Sequence, residues 1–377
     1  MILVFVAAAV LLAHAYVGYP LSLLALRPLL GRRSRHQVGD GMPSVTLIIS
    51  VYNEERVIRE KLENTLALDY PRPQLRVVVI SDGSSDATDS IVAGFAERGI
   101  ELLPLAGRRG KVACLNEVVP RLASDLVLMS DANSMYRPDS LRQLVRHFAD
   151  RRIGCVCGEL LYENPNSLAS GEGERVYWGY ERAIKRLESG LGSLLGANGA
   201  IYAFRTRLFR PVDPLMFCDD VIPIRIRLAG FLTIYEPKAR CVEEAVPEST
   251  EARRRRRHAS FGLRSMLKMC REALAGGHFL VVYQCVSHRI LRWIGGACLA
   301  ALLIASPFVP PHWRIPVLAA QGVFYAAAVA GFALNRSGQR VTILYLPYYF
   351  LVITWAGIVG LWAYVSGTDR PHWEPRQ

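Results

Sequence analysis

The sequence has no pair of C-x-x-C motifs to hold zinc, no G-x-x-x-x-G-K phosphate loop and no internal repeat. Cys155 and Cys157 are separated by a single residue, so the eight cysteines form no framework and read as small core hydrophobes. Acidic residues are the scarce charge: 33 Asp+Glu face 45 Lys+Arg, a formal net charge of +12. Charged residues amount to 21%, against roughly 25% in an average soluble domain. The basic balance alone would suit a nucleic-acid binder, but 51% hydrophobic residues and a positive mean hydropathy would not. The same numbers exclude disorder, collagen-like repeats and coiled coil. What remains is a charged domain with apolar segments added.

The apolar surplus lies at the two ends. Ile2–Leu26 is an uncharged run of 25 residues, enough at about 1.5 Å per residue to cross a core of roughly 30 Å. Ala13-His14-Ala15 imitates a signal-peptide cleavage site, but the basic n-region is missing and the apolar run continues past it. An uncleaved transmembrane helix is therefore expected over residues 1–27. Ile290–Val309 (with Arg292 at the interface), Ile315–Leu334 and Val341–Val365 are three further spans within 290–366. Arg27, Arg32, Arg33 and Arg35 follow the first span, and Arg336 and Arg340 lie in the loop between the last two. By the positive-inside rule both flanks are cytoplasmic, although Arg370 and Arg376 in the outer tail dissent. A multi-pass plasma-membrane or inner-membrane protein with its polar region in the cytoplasm is expected.

Between the spans, residues 44–257 read as one α/β domain. Val45–Val51 and Leu75–Ile80 are short, β-branched, nearly continuous apolar runs, the pattern of strands buried on both faces of a parallel sheet. Glu54–Leu66 carries Ile58, Leu62 and Leu66 at helical spacing. A helix after Asp82, a strand at Glu101–Leu105, a helix from Lys111 and a strand at Leu126–Ser130 complete a β-α-β-α-β-α-β order. That order predicts a doubly wound sheet, which binds ligands outside the carboxyl ends of its strands. Residues 258–289, with Met266, Leu267, Met269, Phe279 and Val282, read as amphipathic helices on the bilayer surface.

Three strand ends carry polar clusters: Tyr52-Asn53-Glu54, Ser81 to Asp86, and Asp131-Ala132-Asn133. Turns and caps favour the same residue types, but three acidic clusters at three strand ends would converge on one crevice. Carboxylates there can hold a base or ribose edge, and Asp131 suits a hard divalent cation that bridges substrate phosphates. Gly107 to Lys111 adds positive charge at a helix start, where backbone N–H groups also favour phosphate. The alternative for Arg108 and Arg109 is a solvated loop. Asp219 and Asp220 precede a helix with Pro223 in its first turn, so one can cap while the other acts as a base. Glu174, Tyr177, Trp178 and Glu181 are spaced as one face of a helix, more in keeping with core than with a sugar platform.

VYNE at Val51–Glu54, SDGSSDAT at Ser81–Thr88, GKVACLN at Gly110–Asn116 and SDAN at Ser130–Asn133 together resemble the inverting family 2 glycosyltransferases. The resemblance continues through GANGAIYAFR at Gly196–Arg205 and CDDVIPIR at Cys218–Arg225. The flanking spans resemble those of the membrane-integrated members, the cellulose, chitin, hyaluronan and poly-N-acetylglucosamine synthases. The resemblance implies a Rossmann-like GT-A nucleotide-sugar-binding domain flanked by transmembrane helices. It implies that Tyr52, Asn53, Glu54 and Asp82 meet the nucleotide of a UDP-sugar, with Lys111 and Asn116 near the nucleotide or diphosphate. Asp131 would hold the metal–diphosphate, with Mg²⁺ or Mn²⁺ as the cofactor. Asn133 takes the third position of the D-x-D element, where its amide oxygen coordinates with less charge. Gly199 and Ala200 would lie near the acceptor, and Asp220, with Asp219 beside it, would supply the base. Arg253–His258 stands where processive relatives carry Q-x-x-R-W, but without its Gln or Trp. Arg254 and Arg256 then read as acceptor or diphosphate contacts, as anchors for anionic lipid heads, or as a basic juxtamembrane helix face. Trp293 lies at a span start and reads as an interfacial aromatic.

The expected activity is transfer of a sugar with inversion to a growing glycan or a lipid-linked acceptor. The alternatives are a single addition to a polyprenyl-phosphate or other lipid, and a non-catalytic membrane scaffold. A transporter would need charged or broken segments at membrane depth. Nucleic acid is not an expected partner, because only Phe261 offers a stacking ring near the Arg run.

Overall fold

The computed structural model describes residues 1–30, 39–163, 172–244, 248–337, 339 and 341–367. In chain order come α1 (Ile2–Ala13), α2 (Tyr19–Leu30), β1 (Val45–Val51), α3 (Ile58–Leu66), β2 (Leu75–Ser81), α4 (Thr88–Ala93) and β3 (Ile100–Pro104). Then follow α5 (Lys111–Val118), β4 (Leu126–Asp131), β5 (Met135–Tyr136), α6 (Ser140–Val145), β6 (Ile153–Glu163) and α7 (Glu172–Gly190). β7 (Tyr202–Arg205), α8 (Cys218–Leu228), β8 (Leu232–Glu244) and α9 (Glu248–Ala275) are next. The last helices are α10 (Phe279–Gln284), α11 (Leu291–Trp293), α12 (Gly295–Ala305), α13 (Pro311–Arg336) and α14 (Thr342–Ser366). These elements form two compact units. One holds Leu29–Glu163 and Glu188–Ala245; the other holds Met1–Pro28, Asn164–Leu187 and Val246–Asp369.

The first unit is built on an eight-stranded sheet in the order β3-β2-β1-β4-β7-β6-β8-β5. β1 pairs in parallel with β2 and with β4, and β2 in parallel with β3. The strand order therefore reverses at β1, the place where doubly wound sheets open a crevice for ligands. Beyond β4 the sheet is mixed: β7 runs antiparallel to both β4 and β6, whereas β6 and β8 are parallel. An apolar run reports that a strand is buried but not which way it points, so this second half was not legible in the pattern. β1 is buried at every position, and Leu47, Ile49, Val79, Leu126 and Leu128 form the centre of the core. The helix expected over Glu54–Leu66 begins only at Ile58, because the Glu54 carbonyl closes a turn onto the N–H groups of Val57 and Ile58.

The second unit is helical. Ile2–Leu30, Pro311–Arg336 and Thr342–Ser366 are long and apolar enough to cross a membrane. The expected single span Ile290–Val309 is instead part of a bent pair, Phe279–Trp293 and Gly295–Phe308, which meet at 59°. Trp293 sits at this bend and is half-buried, within reach of Gly262 on α9 and Gly357 on α14, so it packs between helices. A Cβ on Gly357 would come within 2.5 Å of the Trp293 carbonyl oxygen, the close backbone approach that small residues allow between apolar helices. Met266 and Met269 of α9 are fully buried, so this helix packs into the unit along one face. α9 also carries Arg254 and Arg256 on its backbone, but their side chains, like those of Glu174 and Tyr177, fall outside the described set. Arg32, Arg33, Arg35, Arg340, Arg370 and Arg376 lie outside the described residues altogether. Glu181, also expected in a core, is buried and paired with Arg292. All eight cysteines are free thiols.

In the sheet unit, His147 and Glu236 form a buried pair with Nε2 to Oε2 at 2.6 Å. Burial pushes the Glu236 carboxyl up, but the bond from His147 and the Lys238 N–H outweigh it and hold it below its ordinary value of 4.5. A depressed carboxyl stabilises the fold above about pH 4.5 and loses that contribution as pH falls through the folded value. Unfolding midpoints measured against pH should therefore fall on the acid side, and Glu236→Gln should flatten that limb; an unaltered limb would refute the assignment.

Candidate active site at the carboxyl ends of the parallel strands

The register of the parallel strands sets the site. Val51 pairs with Ser81 and Ser50 with Asp131, so the ends of β2, β1 and β4 lie side by side at one edge. The three polar clusters follow directly from those ends and do converge.

The β1 and β2 ends are stitched together by their own side chains. Asn53 adopts a left-handed backbone with φ 52°, a conformation its short amide tolerates. Its Oδ1 accepts the Ser85 N–H at 2.8 Å, and its own N–H donates to Ser84 Oγ at 3.2 Å. The Glu54 N–H donates to Thr88 Oγ1 at 2.8 Å, and Glu54 itself is buried. Across the same seam, Asp86 accepts the N–H groups of Thr88 and Glu55. Burial raises the Asp86 carboxyl, yet these bonds bring it below its ordinary value.

Asp82 holds the next loop. Its two carboxylate oxygens accept the N–H of Arg109 at 2.7 Å and of Gly110 at 2.8 Å, and the Cys114 thiol lies at 3.3 Å. Gly83 (φ +72°) is required for this approach, because a Cβ there would meet the Gly107 carbonyl at 2.9 Å. Whatever Asp82 offers a nucleotide, it also pins the basic Gly107–Lys111 loop. Arg108 in that loop is not simply solvated: its guanidinium lies over the Tyr52 ring, 4.2 Å from the centroid. Asn116 spends both ends of its amide on Val212, donating to the carbonyl at 2.6 Å and accepting the N–H at 2.8 Å. It pegs α5 to the 209–216 segment, a structural task that the motif alone did not reveal.

Opposite charges meet at the end of β4. Lys111, first residue of α5, donates from Nζ to Asp131 Oδ1 at 2.7 Å. Burial would lower the Lys111 ammonium, but Asp131 and Asp219 more than reverse it and hold it above its ordinary value. Asp219 thus reaches the same crevice from α8. A Cβ on Gly199 would fall 2.3 Å from Asp219 Oδ2, so only glycine lets that carboxylate lie against the 196–200 loop. The Asp219 carbonyl accepts the Ala197 N–H at 2.8 Å. Neither Asp219 nor Asp220 caps α8 through its side chain; both sit in its first turn, half-buried, with Phe217 at the cap. Ala200 is buried, its carbonyl 2.9 Å from the Tyr136 hydroxyl, so it shapes the loop rather than lining it. The Tyr202 hydroxyl beneath is kept protonated, first by burial and then by Asp219 and Cys218.

Asp131 and Asn133 are the residues suited to a cation. The Asn133 amide is unusual: its nitrogen is buried with no hydrogen-bond partner among the described residues. An orphaned polar group beside a carboxylate fits a ligand-binding turn. Two hard oxygen donors also fit a small divalent cation whose other positions are filled by phosphate and water. No group of three or more His, Cys, Asp or Glu that could hold a metal by itself exists among the described residues.

Residues 43–262 match the model of glycosyltransferase-like family 2. The chain belongs to this family. It is 26% identical over 215 residues to a poly-beta-1,6-N-acetyl-D-glucosamine synthase of Staphylococcus epidermidis, covering 55% of this chain and 51% of that protein. To the synthase of Staphylococcus aureus strain COL it is 27% identical over 208 residues, covering 54% and 50%. The chain thus spans about half the length of the curated relatives it matches. Among solved structures, a mannosyltransferase from Pyrobaculum calidifontis in complex with GDP-Man and Mn²⁺ superposes with a TM-score of 0.72. The two chains are 23% identical and covered to 96% and 99%, a likeness of fold. The family 2 glycosyltransferase thus has a GT-A sheet domain, together with helices able to span a membrane.

Two buried residues under this site were missed in the sequence. Lys61 and Glu243 are 0% and 2% exposed. The signal for Lys61 was present: with Ile58, Leu62 and Thr65 it completes the buried face of α3, a lysine where the helical period demands an apolar residue.

Asp82→Asn keeps the shape but removes one of two acceptors for the 109–110 N–H groups. It should cost roughly 1–3 kcal/mol of stability, read as a lowered unfolding midpoint in detergent; an unchanged midpoint would show that the carboxylate does not hold the loop.

Proposed function

We propose that this chain transfers a sugar, with inversion, from a UDP-sugar to an extending glycan or lipid-linked acceptor at the cytoplasmic membrane face. The observation that carries the reading is the meeting of Lys111, Asp131 and Asp219 in one crevice at the strand ends. Such a site suits a donor whose leaving group is a diphosphate. Tyr52, Asn53, Glu54 and Asp82 lie along the nucleotide side, with Arg108 stacked on Tyr52. Lys111 offsets charge as the diphosphate departs. Asp131 and Asn133 would hold Mg²⁺ or Mn²⁺, which when bound adds further neutralisation of the leaving group.

Asp220 takes the proton of the acceptor hydroxyl as that oxygen attacks the anomeric carbon. The bond from that carbon to the phosphate oxygen breaks, and its electrons leave with the diphosphate. Asp219, in the field of Lys111 and against Gly199, balances charge in the crevice and shapes the acceptor loop. A glycan acceptor agrees with the named activity of the staphylococcal relatives. The helices within 1–27 and 290–366 would anchor the 44–257 domain, with the 258–289 region at the bilayer surface and Arg254 and Arg256 towards acceptor or lipid phosphate. The missing Gln and Trp of the Arg253–His258 stretch favour a second reading, one sugar added to a lipid phosphate. Sizing the product of labelled donor separates the two: a ladder supports polymerisation, a single lipid-soluble product the other.

Asp220→Asn should lower transfer by about 10²–10⁴-fold while binding of UDP survives. Normal turnover by that variant, set beside Asp219→Asn, would remove Asp220 from the base role.

A further inference from the structure

The Asp131–Asn133 turn is gripped from behind by buried charge. Lys61 on α3 is completely buried, and its Nζ donates to the carbonyl of Ser134, the residue that follows Asn133. The same ammonium lies 4.0 Å from the centroid of the Tyr136 ring. From the other side Glu243 on β8 accepts the Ser134 hydroxyl at 2.6 Å. The Ser134 N–H in turn donates to the Asp131 carbonyl at 3.3 Å. Asn64, three residues beyond Lys61 on α3, clamps Tyr136 at both its N–H and its carbonyl, each at 2.8 Å. The Tyr136 hydroxyl completes the frame, 2.8 Å from the Met129 carbonyl oxygen on β4.

A neutral donor would serve the Ser134 carbonyl, and burying an ammonium is expensive. Burial drags Lys61 down to about 7, against the pull of Cys241, Asp131 and Glu243. A lysine kept there at such a cost fixes the backbone of the turn through the Ser134 carbonyl. We propose that Lys61, together with Glu243, is a positioning residue that aims the oxygens of Asp131 and Asn133 at the donor diphosphate without touching the donor. The inference rests on the reading of the Asp131 end as the diphosphate site. It adds a support that α3 and β8 provide from outside the motif itself.

The two roles open to a buried pair, holding the fold and aiming the turn, differ in what they predict. Lys61 and Glu243 each meet Ser134, and replacing such compensating buried charges together by groups of similar volume is often neutral or stabilising. Loss of the partners behind a ligand-holding group typically costs about 10–100-fold in affinity or activity. The full-length chain in detergent is therefore assayed as wild type, as the double variant Lys61→Met/Glu243→Gln, and as Ser134→Ala. The readouts are donor KM and kcat with a UDP-sugar, and the rise in unfolding midpoint on adding UDP with Mn²⁺. The double variant should keep the ligand-free midpoint, raise donor KM about 10–100-fold and lose most of the ligand-induced rise. Ser134→Ala should move KM the same way by less. Wild-type KM and ligand-induced rise in both variants would overturn the inference, as would a loss of affinity that appears only with a matching fall in the ligand-free midpoint. If the wild type neither transfers sugar nor is stabilised by UDP with Mn²⁺, it is the underlying diphosphate-site reading that fails.

Discussion

Carboxylates crowded at one edge of a parallel sheet must be compensated, and much of the site is the answer to that constraint. Parallel pairing of β1 with β2 and β4 brings the strand ends level, which gathers Glu54, Asp82 and Asp131 without any long-range design of loops. Three carboxylates in and under the crevice receive different counterparts. Asp82 takes backbone N–H groups, Asp131 takes the Lys111 ammonium, and Glu243 takes the Ser134 hydroxyl above the buried Lys61. Like charges held this close would repel by several kcal/mol at low effective dielectric. The cations and N–H donors convert that repulsion into a rigid, pre-arranged crevice.

The same logic explains why the loops are tied to each other rather than to solvent. Asn53, Asp86 and Thr88 join the first two loops, and Gly83 lets the second touch the third. Gly199 lets Asp219 lie against the fourth. Bonds of this kind fix side chains that would otherwise lose entropy when a ligand binds, so affinity depends on residues that need not contact it.

The helical unit follows a separate rule. Its apolar runs were plain in the sequence because a membrane core demands length and hydropathy, which are local properties. The 59° bend at Ile294 was not, since Ile290–Val309 has no proline before its far end and reads as one continuous span. Packing explains the difference. The Trp293 side chain needs room beside Gly262, and its carbonyl approaches Gly357, contacts made between helices far apart in the chain.

By itself the sequence determined the buried strands, their polar ends, the apolar terminal helices and the family, because each of these is written in short runs and motifs. Lys61 sat in view at a helical period and carried a signal that only burial could interpret. What tertiary structure alone decided was strand direction beyond β4, the approach of Asp219 to Gly199, and the partners of Asp82 and Asn116. Those depend on which groups meet across 27 residues for Asp82 and 96 for Asn116. Local pattern reports what a residue prefers; only the folded chain settles which donor reaches which acceptor first.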